Sequence, residues 1–224
     1  MNLQALPEEA LKEILALTEA KKRLDLQDKA QNLFMPFAHH VYENFIEGRH
    51  HRVIAEKLER VARGELKRLI INMPPRHSKS EFASFLMPAW FLGRNPKLKI
   101  IQATHNTELA VRFGRKVRDL IDDPAYKEIF PDTHLKEDNK GAGKWQTSSG
   151  GEYFAAGVGA AVTGRGADLF VIDDPHSEQD ALSESAFDNA YEWYTSGPRQ
   201  RLQPGGSIII VMTRWGKKDL TGRL

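Results

Sequence analysis

Residues 68–81 read RLIINMPPRHSKSE. Three apolar residues, Leu69-Ile70-Ile71, run into a proline-rich polar loop and then into a sequence that opens a helix. Lys79-Ser80 fits the end of the pattern G-x-x-x-x-G-K-S/T. Met73 then stands at the first glycine, Pro74, Pro75, Arg76 and His77 fill the variable part, and Ser78 stands at the second glycine. The lysine, the hydroxyl and the strand-loop-helix setting are present, and both glycines are missing. The chemistry such a loop performs is anion binding. Backbone N–H groups at a helix N-terminus face a phosphate, Lys79 adds a positive charge, and the Ser80 hydroxyl can hold Mg²⁺. The loop by itself reads equally well as a solvated basic turn.

A second stretch narrows the choice. Residues 169–174, LFVIDD, are four apolar residues ending in two carboxylates, a Walker B pattern. Asp173 would end its strand beside the loop and order Mg²⁺ together with Ser80. Asp174 would polarise the water that attacks a γ-phosphate. Most proteins with this pattern carry Glu there, so the shorter Asp is a departure, and Glu178 is the alternative base. The competing reading is a buried strand meeting a charged turn before Pro175. The two motifs occur in the expected order, each after an apolar strand. An intervening strand at 98–103 is the mark of P-loop ATPases with an additional strand between the two motif strands. A third stretch, SIIIVMT at 207–213 followed by Arg214, places Thr213 and Arg214 where a strand end can sense the γ-phosphate.

Composition bounds the rest. The chain has 224 residues, enough for one sizeable domain or a domain with a small appendage. The net charge of +2 does not by itself argue for nucleic acid. Without cysteine there is no disulfide framework and no thiolate zinc site. No apolar run approaches a membrane span, and the N-terminus MNLQALPEEALKEIL is acidic and amphipathic, unlike a secretory signal. A cytoplasmic location with no membrane partner is the default expectation.

Periodicity predicts helices over 7–26, from 51 to a stop at Gly64, over 80–92 with Gly93 and Pro96 as stops, and from Asn106 or Thr107 to 121. Phe34, Phe37, Val41 and Phe45 also fall near helical spacing. Strands are expected at 98–103, 168–173 and 207–213, with a hairpin around Ser149-Gly150-Gly151 and an irregular stretch over 131–143. Alternating strands and helices point to an α/β fold with a mostly parallel central sheet flanked by helices. Residues 1–47 read as an N-terminal helical segment, a lid on the nucleotide side, and 48–224 as the core.

Four segments in order, NMPPRHSKSE, the 103–115 stretch, AAVTGRGADLFVIDDP and IIIVMTRWGKKDLTGRL, resemble the large terminase subunit of tailed bacteriophages. The likeness covers roughly residues 30–224. That family packages viral DNA, with an N-terminal P-loop ATPase of the additional-strand (ASCE) type and a C-terminal nuclease of RNase H-like fold. The resemblance implies that this chain is the ATPase domain of a longer protein, with the nuclease beyond residue 224. It implies an ATP hydrolase, using Mg²⁺-ATP to translocate double-stranded DNA into a procapsid in the host cytoplasm. Its implied partners are the portal protein, the small terminase subunit and further copies of itself on the procapsid. Lys79 and Ser80 match the phosphate-loop pair, Asp173 and Asp174 the Walker B pair, and Thr213 the coupling motif. Arg76 and Arg165 are both candidates for an arginine finger. Pro74 to Glu81 would surround the phosphates, and Phe37, in the segment 34–40, would stack on adenine.

Two other classes compete: a helicase or recombinase ATPase acting on single strands, and a DNA-binding assembly module whose phosphate loop has decayed. Other features are bland. Gly157, Gly159, Gly164 and Gly166 fail the dinucleotide fingerprint, because position 162 is Val and no helix follows directly. The pairs His39-His40 and His50-His51 lack the spacing of metal ligands. The basic stretch 48–69 reads as a solvated helix face before it reads as a DNA contact. Trp193 and Tyr194 read as core or interface residues before they read as a base-stacking platform.

Overall fold

The computed structural model describes residues 7–162 and 164–224; residues 1–6 of the expected N-terminal segment lie outside the described residues. The chain opens with α1 (Glu8–Asn32), α2 (Phe34–Val41) and α3 (Arg49–Ala62). The helix α3 ends where Gly64 adopts φ 76°, a left-handed backbone that glycine takes without a Cβ clash. Strand β1 (Arg68–Asn72) leads through the proline loop into a helix that begins at Lys79, passes through a π-helical turn (Glu81–Leu86) and continues as α4 (Met87–Arg94).

Next come β2 (Lys99–Thr104), α5 (Thr107–Asp122) and the short α6 (Pro124–Ile129). Side chains fix both junctions. Asn106 caps α5 by accepting from Leu109 N, and Asp123 caps α6 by accepting from Ala125 N. The chain then forms β3 (Leu135–Lys140), β4 (Lys144–Thr147), β5 (Glu152–Gly157), β6 (Ala167–Asp173), α7 (Glu184–Ser196), β7 (Leu202–Met212) and α8 (Leu220–Arg223).

The seven strands form one sheet in the order β1-β7-β6-β2-β5-β4-β3. The first five run parallel, and β4 and β3 add antiparallel at one edge. Alternation sorts side chains between two cores. Ile71, Leu169, Val171, Ile209 and Val211 face the helices α2 to α6, while Ile101, Phe170, Ile172, Ile208 and Ile210 pack with Trp193, Tyr194 and Leu220 on the other side. The central strands β6 and β7 are therefore apolar on both faces, as buried parallel strands must be.

Three expectations change. The stretch 131–143 is not irregular throughout: β3 pairs with β4 through an irregular register. Gly93 does not stop its helix, which runs on to Arg94; a Cβ there would lie 2.4 Å from the Phe130 ring, so packing is what position 93 answers to. In the sheet, the strand between β1 and β6 is β7, and β2 lies on the far side of β6. The expected N-terminal segment contributes Ala30, Phe34, Phe37 and Ala38 to the first core, where Trp90 Nε1 donates to Ala30 O at 2.8 Å. Among the described residues, no helix is long and apolar enough to cross a membrane.

Candidate functional site

Because β1, β7, β6 and β2 are parallel, their carboxyl ends share one edge of the sheet. The register sets Asn72 beside Met212, Val211 beside Asp173, and Asp173 beside Thr104. Segments read separately in the sequence therefore meet at the edge where open α/β sheets bind ligands.

The loop after β1 is held to its neighbour strand by Met73 N donating to Met212 O at 3.2 Å. Arg76 (φ 62°) and Ser78 (φ 59°) both adopt the left-handed backbone. Such a conformation costs a residue with a Cβ about 1–2 kcal/mol. Ser78 thus takes the backbone that the absent glycine would take without strain. The helix that follows begins at Lys79, and the first N–H groups of a helix have no intrahelical acceptor. Lys79, in its first turn, is 6% exposed, and its Nζ lies 3.0 Å from Asp174 Oδ2.

Asp173 continues the parity of Leu169 and Val171, so its side chain faces that helix. It is 1% exposed. Ser80 Oγ donates to its Oδ1 at 2.9 Å and Ser84 Oγ to its Oδ2 at 2.6 Å. Burial pushes the Asp173 carboxyl up to about 7, and the neighbouring Asp174 charge adds to the rise; Ser84, Ser80 and Lys79 pull it back.

Asp174 is the third strained position, at φ 40°. Its surroundings fix it from several sides. Its N–H donates to Val211 O at 2.8 Å, its carbonyl accepts from His105 N at 3.2 Å and faces His105 Nδ1 at 3.2 Å, and its Oδ1 accepts from Thr213 N at 2.8 Å. Thr213 Oγ1 also donates to Met73 O at 3.3 Å. Of four non-glycine residues at positive φ among the described residues, three (Arg76, Ser78 and Asp174) lie at this edge. Strain held in place by its surroundings is a property of functional sites.

The oxygen donors suit a hard divalent cation: a hydroxyl and a buried carboxylate 2.9 Å apart. Among the described residues no three His, Asp or Glu side chains gather as a metal cluster, so a cation here would complete its shell with phosphate oxygens and water.

Several sequence-predicted residues lie elsewhere. Phe37 is a correction. It is fully buried, 6.1 Å from the Tyr126 ring and 5.8 Å from Phe130, and presents no face to a ligand, because an apolar ring on a short amphipathic helix is worth more to the core. Glu81 turns away to Lys116 Nζ at 2.8 Å on α5. Arg165 precedes β6, at the opposite end of that strand from Asp173, where its guanidinium pairs with Glu152 and lies 3.9 Å over the Phe154 ring. Arg214 is held by Asp219 at 2.9 Å. Arg76 is exposed, with no ion-pair partner among the described residues. Pro74, Pro75 and His77 are exposed in the loop, where His77 Nδ1 lies 2.8 Å from Pro75 O, and Glu178 is exposed.

Sequence reasoning missed Ser84 and His105. Ser84 stands four residues after Ser80, on the same helix face, which was a usable signal. His105 follows β2 directly, and only the strand order reveals that it meets Asp174. Beside the loop, a cleft of about 600 Å³ opens between α3 and β1, lined by His50, Val53, Ile54, Ile70 and Met73 among others.

No protein-family model matches the chain, and no curated protein matches it. Among solved structures, the large terminase of bacteriophage HK97 is similar, with a TM-score of 0.50 and 13% sequence identity. The likeness covers 79% of this chain and 35% of that protein. At that identity it is a likeness of fold: a mixed α/β architecture of terminase type, matching about a third of the length of the HK97 protein.

Proposed function

We propose that this chain is a P-loop ATPase of the additional-strand (ASCE) type and the motor domain of a viral DNA-packaging terminase. The observation that carries the reading is the double pairing at the sheet edge, Lys79 with Asp174 at 3.0 Å and Ser80 with Asp173 at 2.9 Å. A lysine, a hydroxyl and two carboxylates at these positions are the side chains that hold and hydrolyse Mg²⁺-ATP.

The loop 74–80 takes the phosphates, and Lys79 leaves Asp174 for the γ-phosphate. Ser80 and Asp173 are the residues that would hold Mg²⁺, which when bound would supply positive charge to the phosphate oxygens. Asp174, freed from Lys79, orients the attacking water. Thr213, bonded to both Asp174 and Met73, passes the change to the segment after β7. The base lies in the cleft between α3 and β1 rather than on Phe37. Arg76, exposed on the loop, is the better placed arginine finger; Arg165 reaches an ATP only on a neighbouring copy and only by leaving Glu152.

The wider reading follows from the terminase resemblance. Double-stranded DNA is the polymer moved, through backbone contacts with little sequence preference. The portal protein, the small terminase subunit and further copies of this chain on the procapsid are the partners, in the host cytoplasm.

The test is phosphate release from ATP with and without nucleic acid. Stimulation by double-stranded DNA in the presence of Mg²⁺ is expected. Stimulation by single strands alone would favour a helicase or recombinase, and absence of turnover together with absence of ATP binding would favour an assembly module with a decayed loop.

A further inference from the structure

Asp173 is a buried carboxylate with both oxygens occupied, and its two partners are not equivalent. Ser80 is the hydroxyl expected to bind Mg²⁺, and it can keep donating its hydrogen to Oδ1 while a lone pair faces the cation. Ser84 has no such second task. It is fully buried, one turn further along the helix, and donates to Oδ2 at 2.6 Å. It lies in the π-helical turn Glu81–Leu86, a form that occurs mostly as single turns, frequently at functional sites.

A carboxylate held by one hydrogen bond can rotate about its Cβ–Cγ bond. A carboxylate held at both oxygens presents one edge only. In a dry site the second bond also matters because an unpartnered buried oxygen is costly. We infer that Ser84 is a positioning residue for the divalent cation: by occupying Oδ2 it fixes the Asp173 carboxylate with Oδ1 turned to the Ser80 hydroxyl. This rests on the Mg²⁺-ATP reading above.

Groups that orient a metal-binding carboxylate set cation affinity by about 10–100-fold. The experiment is calorimetric titration of the whole chain with ATP, in EDTA and over a series of Mg²⁺ concentrations. For Ser84→Ala, the Mg²⁺ concentration that produces half of the gain in ATP affinity rises about tenfold or more. ATP affinity in EDTA stays within about twofold of wild type, because no phosphate contact is lost. Ser84→Thr, which keeps a hydroxyl, stays close to wild type. Should the added methyl disturb the packed helix, Ser84→Cys, with its weak donor, falls between wild type and Ser84→Ala.

An unchanged Mg²⁺ dependence in Ser84→Ala overturns the inference. So does a parallel loss of ATP affinity with and without Mg²⁺, since that is the signature of a residue that only packs. A wild-type chain that binds no ATP fails the underlying reading, and that result is visible before any variant is made.

Discussion

Lys79 Nζ and Asp174 Oδ2 stand 3.0 Å apart, so the cation read as the γ-phosphate ligand is held by the carboxylate read as the water-orienting base. Lys79 is 6% exposed and sits in the first helical turn, and Asp174 is held at a left-handed backbone angle by bonds to β7 and to the end of β2. In the proposed function this pair would link phosphate entry to release of the base.

Replacing Lys79 should therefore act on both nucleotide binding and chemistry. Lys79→Ala is expected to lower ATP hydrolysis by at least about a hundredfold, since among the described residues no other buried lysine or arginine stands at the loop. Phosphate release at saturating ATP is the measurement. Near-normal turnover in Lys79→Ala with a dead Arg76→Ala would shift the loop's alignment.

The two carboxylates should fail differently. Asp173→Ala weakens the Mg²⁺ dependence of ATP binding, because it removes the partner of Ser80. Asp174→Ala leaves ATP bound and unhydrolysed, because it removes the group that orients water. Binding and single-turnover hydrolysis, measured side by side, separate the two. Equal and mild effects from both would return Asp173 and Asp174 to an ordinary strand end.

Burial of Asp173 has a consequence for stability. Its carboxyl titrates at about 7 in the folded chain, against about 4 in an unfolded one. Between those values the folded state binds the extra proton, so stability falls as pH rises from about 4 to about 7. In ligand-free, Mg²⁺-free buffer, Asp173→Asn should raise the thermal midpoint by several degrees above pH 7, and the difference should shrink toward pH 4. A variant that is less stable than wild type at pH 8 would contradict this.

Much of this was legible in the chain itself. RLIIN, DLFVID and SIIIVMT announce parallel strands because each is apolar on both faces, and Lys79, Ser80 and Asp173 stand at their ends. Strand order was not legible. Nothing local to residues 207–213 says that β7 inserts between β1 and β6, and that insertion is what carries Thr213 to Asp174. Phe37 was misplaced because a ring at helical spacing reads the same whether it faces a base or Tyr126. The missing glycine at Ser78 looked like damage in one dimension, whereas its backbone angle is the one glycine would have used.

Arg165 supplies a stability test. Its guanidinium joins Glu152 on β5 and the Phe154 ring, with both charged side chains mostly buried. A double-mutant cycle on Arg165→Ala and Glu152→Ala should give a coupling of about 0.5–1 kcal/mol in urea unfolding. Phe154→Leu should remove a further contribution of about 0.5–1 kcal/mol that depends on the arginine. No coupling in the isolated chain would leave Arg165 available to a neighbouring copy.

The most direct test of the account is titration calorimetry of the chain with a slowly hydrolysed ATP analogue and Mg²⁺, run on wild type and on Lys79→Ala. The account predicts one analogue bound per wild-type chain, with binding lost or weakened at least about tenfold in Lys79→Ala. Absence of binding to wild type, or equal affinity in both proteins, would contradict it.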